Sequence, residues 1–481
     1  VQSEFLDGEP ATIRLWSLSE DTLVEVDEAE RSLVVVTRWG ELSVPDADAH
    51  VRELLGRMGL GPVFLENVTG EASDDSEAGA SVEKVLDQIS GSVVHSLGLH
   101  DGQAPLLSAI PVVFAPSFTL EPLPGSRQVK LSRFSLFRPA GGVLTLEAST
   151  AQFRVELHQP TAVQVASVLA TAISVSEIAA QTKIAPSVVA DIVSYLVAAG
   201  LVEVAGENGR FAEERDADLR DWSHHDLQFH QHSRTTRPVA QAGPSSAERT
   251  EDSLPPVVKE VVGGQVFPLY RPELGALPAD RRSLTELLED DHLCPDITDR
   301  QLTADQLGEL LFRSARVRSV GPAHLRLDAS YPASQRPYFN IACLYELELY
   351  LSLNGCAGLP DAIYHYDPLE HALTLINEDP EDRIELLDMA KVAAGSVRQP
   401  SALITVTTRI GRVSWAFGGA AYATALMHLG TLQQTLYLVA KAMGLAAHAV
   451  PADANDIVDR ALRLRWPAEV SLGECVVASH L

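Results

Sequence analysis

The stretch RPYFNIACLYELELYL, residues 336–351, decides how the C-terminal half is read. Leucines recur at every second position from Leu347, which predicts a strand over Leu347–Leu353. Further apolar runs predict strands over Ala372–Ile376, Ala402–Thr407 and Cys475–Ser479. Helical spacing predicts helices over Asp305–Ala315 and Leu432–Met443. From about residue 265 onward the pattern is therefore α+β, with long helices mixed among apolar strands.

Upstream of it, AQAGPSSAERTEDSLPP (240–256) has the composition of a linker and predicts a boundary near residue 255. The N-terminal end reads as strands over Thr12–Leu18, Thr22–Val26, Leu33–Thr37 and Glu41–Val44. A helix follows with Val51, Leu54, Leu55 and Met58 on one face, then an acidic loop over Glu71–Ala80 and helical spacing over Ser81–Leu97. A second segment carries strands over Val129–Phe137 and Val143–Glu147 about the turn signal Ala140-Gly141-Gly142, and a third strand through Phe153, Val155 and Leu157. Helices over Ala162–Ala170, Val175–Thr182 and Pro186–Ala199 lead into a strand at Leu201–Val204. Ser174-x-x-Glu177 forms a capping box and Gly200 a helix stop. This is the element order of a winged helix-turn-helix.

The chain has 481 residues, enough for two to four domains. Hydrophobic residues make up 46% and charged residues 21%, a globular composition. The net charge of −28 argues against nucleic-acid binding. So does the would-be recognition helix PSVVADIVSYLVAAG, which lacks Lys and Arg; Lys183 is the one basic residue of 161–204, against Glu177, Asp191 and Glu203. No apolar run reaches membrane-spanning length, no signal-peptide pattern opens the sequence, and Cys294, Cys343, Cys356 and Cys475 show no CxxC spacing. The expectation is a reduced, cytoplasmic protein without a membrane or nucleic-acid partner.

Several C-terminal pieces resemble, in order and spacing, the SagB and cyanobactin-oxidase (ThcOx) type peptide dehydrogenases of the nitroreductase-like superfamily. They are QLTADQLGELLFRSARVRS (301–319), RPY (336–338) with LYELELYL (344–351), and CAGLPDAIYHYDPLEHAL (356–373). TTRIGRVSW (407–415), AYATALMHLGTLQQTLYLVAKAMGLA (421–446) and SLGE (471–474) complete the set. FHQHSR (229–234) extends the resemblance into the N-terminal half. The resemblance implies an α+β chain whose C-terminal domain is nitroreductase-like and dimeric, with a mixed or antiparallel sheet and helices, over 261–481. It implies two winged-helix or leader-recognition (RRE-like) α+β modules before it: a first strand-plus-helix module over 1–110 and a winged-helix-like module over 125–210, with a linker over 211–260. The implied chemistry is FMN-dependent oxidation of azolines to thiazoles or oxazoles on ribosomally made, post-translationally modified peptides. The implied partners are a second copy or a paralogous dehydrogenase, the precursor's leader peptide, and a cyclodehydratase.

The family's chemical motifs depart from the pattern here. An Arg-Arg-Ser-x-Arg phosphate clamp is expected after SLTELLE (283–289), where Asp290-Asp291-His292-Leu293-Cys294-Pro295 stands instead; two carboxylates repel a phosphate. Arg281 and Arg282 lie before that helix and offer a displaced clamp or a solvated helix start. A Pro-Ser-Gly-Gly-Ala loop is replaced by Phe339-Asn340-Ile341-Ala342-Cys343, whose bulky Phe339 and Ile341 fill space that the flavin takes in relatives, while Asn340 keeps a hydrogen-bonding amide. The Lys-Tyr dyad expected after Trp415 reads Ala416-Phe417, so no catalytic residue is assigned. A glycine-rich turn expected near the C-terminus reads His448–Asp453.

Other constellations carry two readings each. Arg409 and Arg412 touch a flavin or substrate, or pair with carboxylates; Gln433 and Gln434 face the flavin cavity, or join helix to helix. Lys441 is a desolvated base or a helix-surface lysine, and His428 a satisfied core or interface histidine. His224, His225, His230 and His232 lack a tetrahedral set, so no metal site is assigned. Three functions stay open: a pseudoenzyme with a degenerate flavin site that dimerises with an active paralogue and grips the leader, an FMN enzyme using Arg281, Arg282, Arg409, Arg412, Asn340 and Gln434, or a flavin-free peptide-binding scaffold.

Overall fold

The computed structural model describes all residues except 1–10, 28–31, 46, 48, 65–76, 101–103, 234–253, 262, 277–281, 291–299, 327–328, 452–455 and 480–481. The chain divides into two compact units, Val1–Pro238 and Val239–Leu481. Among the described residues no helix is long and apolar enough to cross a membrane.

In the first unit the strands Leu23–Asp27, Ser32–Thr37 and Gly40–Val44 form an antiparallel meander. It packs with the helices Ala49–Met58 and Glu77–Gln88 through Val35, Leu54, Leu55 and Val82. Strand Thr12–Leu18 pairs with Val93–Leu99. That corrects the helix read over Ser81–Leu97, which ends at Gln88. The physical reason lies at Gly91, where a Cβ would sit 2.2 Å from the Phe114 carbonyl oxygen, so the chain turns tightly there and the β-branched Val93-Val94 pair starts a strand. The loop read over Glu71–Ala80 is likewise helical from Glu77, its earlier residues lying outside those described.

A six-stranded antiparallel sheet runs through the strands 12–18, 93–99, 107–111, 153–157, 143–148 and 135–140. Its last hairpin turns on Gly141 and Gly142, both at positive φ (58° and 83°), the geometry of a two-residue primed turn. Helices Pro160–Val168, Val175–Thr182 and Pro186–Ala198 pack on strands Gln128–Leu131 and Val202–Val204. The Ser174 and Glu177 capping box forms in both directions. Further short helices lie at Ala217–Arg220 and His224–His232, within the stretch read as linker.

The second unit is built on a seven-stranded antiparallel sheet in the order 266–268, 372–377, 363–367, 347–353, 402–409, 469–479, 445–450. Helices Ala304–Ala315 and Ala421–Ala442 cover one face, where Leu347, Leu349, Leu351 and Leu353 are buried. Helices Pro380–Ala393 and Asp456–Ala461 cover the other, packing on Tyr350, Ile363 and Leu403. Every residue of the strand Leu347–Leu353 is therefore buried, including Glu348, Tyr350 and Ser352. Alternation in this strand separates an apolar interior from a polar one rather than interior from solvent.

Candidate functional site

The alternation of LYELELYL places Glu346 and Glu348 in the interior, and burying a carboxylate demands partners. Glu346, 0% exposed, accepts from His428 Nδ1 at 2.6 Å and from Asn340 Nδ2 at 3.1 Å. His428, on the Ala421–Ala442 helix, accepts the Ile341 backbone N–H at Nε2 (2.8 Å), which fixes its proton on Nδ1, facing the carboxylate. The Asn340 amide nitrogen sits 2.9 Å from that same Nδ1, so Glu346 is the acceptor for both groups. Asn340 Oδ1 takes the Tyr345 backbone N–H at 3.1 Å. Burial disfavours the charged form of Glu346, yet His428 and Asn340 outweigh it and hold its carboxyl below the ordinary carboxylate range.

These bonds hold a loop of unusual backbone. Ala342, Cys343 and Tyr345 all have left-handed φ (62°, 52° and 48°), a region that costs an L-residue about 1–2 kcal/mol. Ala342 stands where the resemblance expects a glycine. Tyr331 fixes the loop from outside by donating its hydroxyl to the Ala342 carbonyl. The Phe339 side chain is 69% exposed and projects from the loop.

Glu348 lies one alternation further along, 1% exposed. It meets His365 Nε2 at 3.0 Å and Arg409 Nε at 2.8 Å. Burial again opposes ionisation, and His365 and Arg409 overcome it, so this carboxyl too is held low. Arg409 Nη1 and Nη2 donate to the backbone carbonyls of Pro256 (2.6 Å) and Val257 (3.2 Å). Arg412 is fully buried and donates to three carbonyls, Leu344, Pro255 and Pro332. Burial, then the charges of Arg409 and Arg336, push its guanidinium down to about 10. These two arginines clamp the segment around 255–257 and the 329–335 strand to the end of the sheet.

The remaining candidates lie apart. Arg281 is outside the described residues. Arg282 pairs with Asp290 at 2.7 Å, and Asp290 also takes Lys441 at 2.9 Å. Arg282 and Lys441 hold the Asp290 carboxyl far below its ordinary value. Two cations thus hold the carboxylate that was expected to repel a phosphate. Ala416 and Phe417 pack with Trp415 around Tyr331 and Leu344. Gln433 donates to the Glu474 carbonyl at 3.2 Å, whereas Gln434 is exposed on the same helix. His448 lies in the strand Leu445–Val450, and the residues from Ala452 onward in that expected turn are not described. His224, His225, His230 and His232 lie on the one helix His224–His232; His230 lies against Trp222, and His232 Nδ1 meets the Gln228 carbonyl at 2.9 Å.

Asn340, Arg409 and His428, singled out separately in the sequence, thus converge on two carboxylates that sequence reasoning passed over. The signal was present: two glutamates two residues apart at the start of an apolar central strand require charged or hydrogen-bonding partners. His365, Lys259, Tyr350 and Glu469 were also passed over, and only the fold brings them to that end of the sheet.

Residues 129–238 match the family of the cyanobactin oxidase ThcOx. No curated protein matches the chain. Among solved structures, a protein named as a nitroreductase from Anabaena variabilis is 18% identical, with a TM-score of 0.37 over 52% of this chain; the chain spans only 45% of that protein. A second, named as a nitroreductase from Ralstonia eutropha, is 16% identical with a TM-score of 0.35, over 50% of this chain and 95% of its own. The Escherichia coli microcin synthetase McbBCD complex with truncated pro-MccB17 bound is 19% identical with a TM-score of 0.32, over 51% of this chain and 85% of its own. The likeness to the cyanobactin oxidase ThcOx family is carried by the stretch 129–238.

Proposed function

We propose that the chain is a nitroreductase-like subunit of the azoline-to-azole oxidation carried out on ribosomally made peptides, and that it acts as the dimerising, leader-binding partner of an active paralogue. The match to a cyanobactin oxidase family supports the pathway class. The observation that carries the partner role is the Asn340–Glu346–His428 network. In it, polar groups at a loop expected to cradle a flavin are bonded to one another within the chain.

FMN is the group such a reading implies, and the described residues fit it poorly. Arg282 is committed to Asp290, Arg409 to Glu348 and two carbonyls, and Arg412 to three carbonyls. A phosphate needs free donors, and a flavin ring needs close backbone approach without a Phe339 side chain beside it. Ala416 and Phe417 carry no group that moves a proton. What the chain's own residues do in this reading is hold the loop and the 255–257 segment in place.

One observation favours a second reading. Arg282 and Lys441 flank Asp290 as a phosphate would be flanked, so an FMN phosphate that displaced Asp290 would meet two cations. The absorption spectrum of the purified chain, alone and co-expressed with a paralogous dehydrogenase, separates the readings. The proposal expects no flavin band at about 450 nm alone and stable co-purification with the paralogue. A yellow, self-paired protein that oxidises an azoline by itself selects the active FMN enzyme. Leader binding without association with any dehydrogenase selects a flavin-free scaffold.

A further inference from the structure

The polar side of the central strand holds a second cluster that the proposed function does not use. Lys259 Nζ donates to Tyr350 Oη and to Glu469 Oε2, both at 2.5 Å. Tyr350 Oη donates onward to Glu469 Oε1 at 3.0 Å, and Thr407 Oγ1 donates to the same oxygen at 2.7 Å. The direction of each bond is fixed, because an ammonium only donates and a carboxylate only accepts. Burial, and next the Glu469 charge, push the Tyr350 hydroxyl well above its ordinary value, so it keeps its proton and the order Lys259 to Tyr350 to Glu469 holds.

Two of the three Lys259 protons are spent in this chain. Lys259 and Tyr350 line a pocket of about 450 Å³, the Lys259 side chain is 25% exposed, and no third acceptor meets its Nζ among the described residues. That volume lies in the range of small-molecule sites, roughly 300–1,000 Å³. One wall is the Gly263-Gly264 turn, at φ 84° and 91°; a Cβ on Gly264 would lie 2.2 Å from the Leu375 carbonyl oxygen, so only glycine lets the turn close on the strand Ala372–Asn377. The pocket also carries the exposed side chains of Arg463, Glu260 and Glu378, none in an ion pair among the described residues.

The charge pattern selects the ligand. A simple anion would meet Glu260 and Glu378, and a simple cation would meet Arg463 and Lys259. A molecule bearing both charges satisfies the two sets at once. We infer that this pocket binds a small zwitterion of amino-acid or dipeptide size, its carboxylate on Lys259 and Arg463 and its ammonium on Glu260 and Glu378.

The test is calorimetric titration of the full chain with glycylglycine, beside N-acetylglycine, which lacks the ammonium, and glycinamide, which lacks the carboxylate. Glycylglycine is expected to bind, and each single-charge analogue to bind about tenfold more weakly, the cost of one lost charge-assisted contact. Arg463→Gln and Glu378→Gln change exposed side chains and leave the fold intact; each is expected to weaken glycylglycine several-fold, about as much as removing the matching ligand charge. Lys259→Met is expected to abolish binding. Should it unfold by stranding Glu469, the two surface variants decide. No binding at millimolar glycylglycine, equal affinity for the three probes, or indifference to both surface variants would overturn the assignment.

Discussion

Two buried regions of this protein treat a polar side chain in opposite ways. In the first unit His95 stacks on Phe118, the ring centroids 4.2 Å apart, and meets the edges of Trp16 and Phe153. Burial pushes its imidazole down to about 4 from an ordinary 6.5. In the second unit Glu346 and Glu348 are buried at least as deeply, yet their partners hold both carboxyls in the charged form. One interior excludes charge; the other pairs it. The difference teaches that the cost of disturbing a buried polar group depends on what it leaves behind more than on its depth.

The largest effect should come from breaking a pair. Glu348→Ala strands Arg409 and His365 in the interior and is expected to destabilise the second unit by about 4 kcal/mol in urea unfolding. Glu348→Leu combined with Arg409→Met removes both charges and should cost much less than the sum of the single changes. Simple additivity would show that the two do not interact.

A smaller effect separates the units by pH. Because His95 is neutral when folded and takes a proton when unfolded, its contribution is complete above pH 6.5 and is lost as pH falls toward 4. At pH 5 the loss is about 2 kcal/mol. Glu346 and Glu348 have lowered values, so their contributions persist above the ordinary carboxylate range and fail only as pH falls through the lowered values. Hydrogen exchange followed from pH 7 to pH 5 should show the first unit loosening before the second, and His95→Leu should reduce that slope, leaving the smaller part that comes from the half-buried His158. Simultaneous loosening of both units would contradict the contrast.

How much of this was legible in the sequence follows the range of each interaction. The Ser174 and Glu177 capping box, the Gly141-Gly142 turn and the strand Leu347–Leu353 are written in neighbouring residues, and each forms as read. The paired interior is not written that way. His428 lies 82 residues from Glu346, and Arg409 lies 153 from Pro256, so spacing offers no clue to either partnership. The sheet partner of Thr12–Leu18 is equally remote in sequence. Among the candidate residues, the arginines were legible as important charges, but their role as clamps on carbonyls depends on where the 255–257 segment lies. Local capping supplies the matching prediction: Ser174→Ala removes a bond whose partner is three residues away and should cost about 1 kcal/mol in thermal unfolding of the first unit, with no change in the second.

The smallest effect probes the loop where the paired interior meets the surface. Ala342 holds a left-handed backbone at φ 62°, and nothing in its side chain repays that conformation; the holding is done by Tyr331, Asn340 and His428 from either side. Glycine adopts this conformation freely but loses more entropy on folding, so the two terms partly cancel. Ala342→Gly is therefore expected to stabilise the second unit by about 0.5–1 kcal/mol. The same change in a His428→Ala background, where the Ile341 N–H has lost its acceptor, should stabilise by less, because a loop released from the network relaxes out of the left-handed conformation and leaves glycine less strain to remove. A gain that is identical in both backgrounds would mean that the network does not hold the strained loop, and that the loop takes this shape without it.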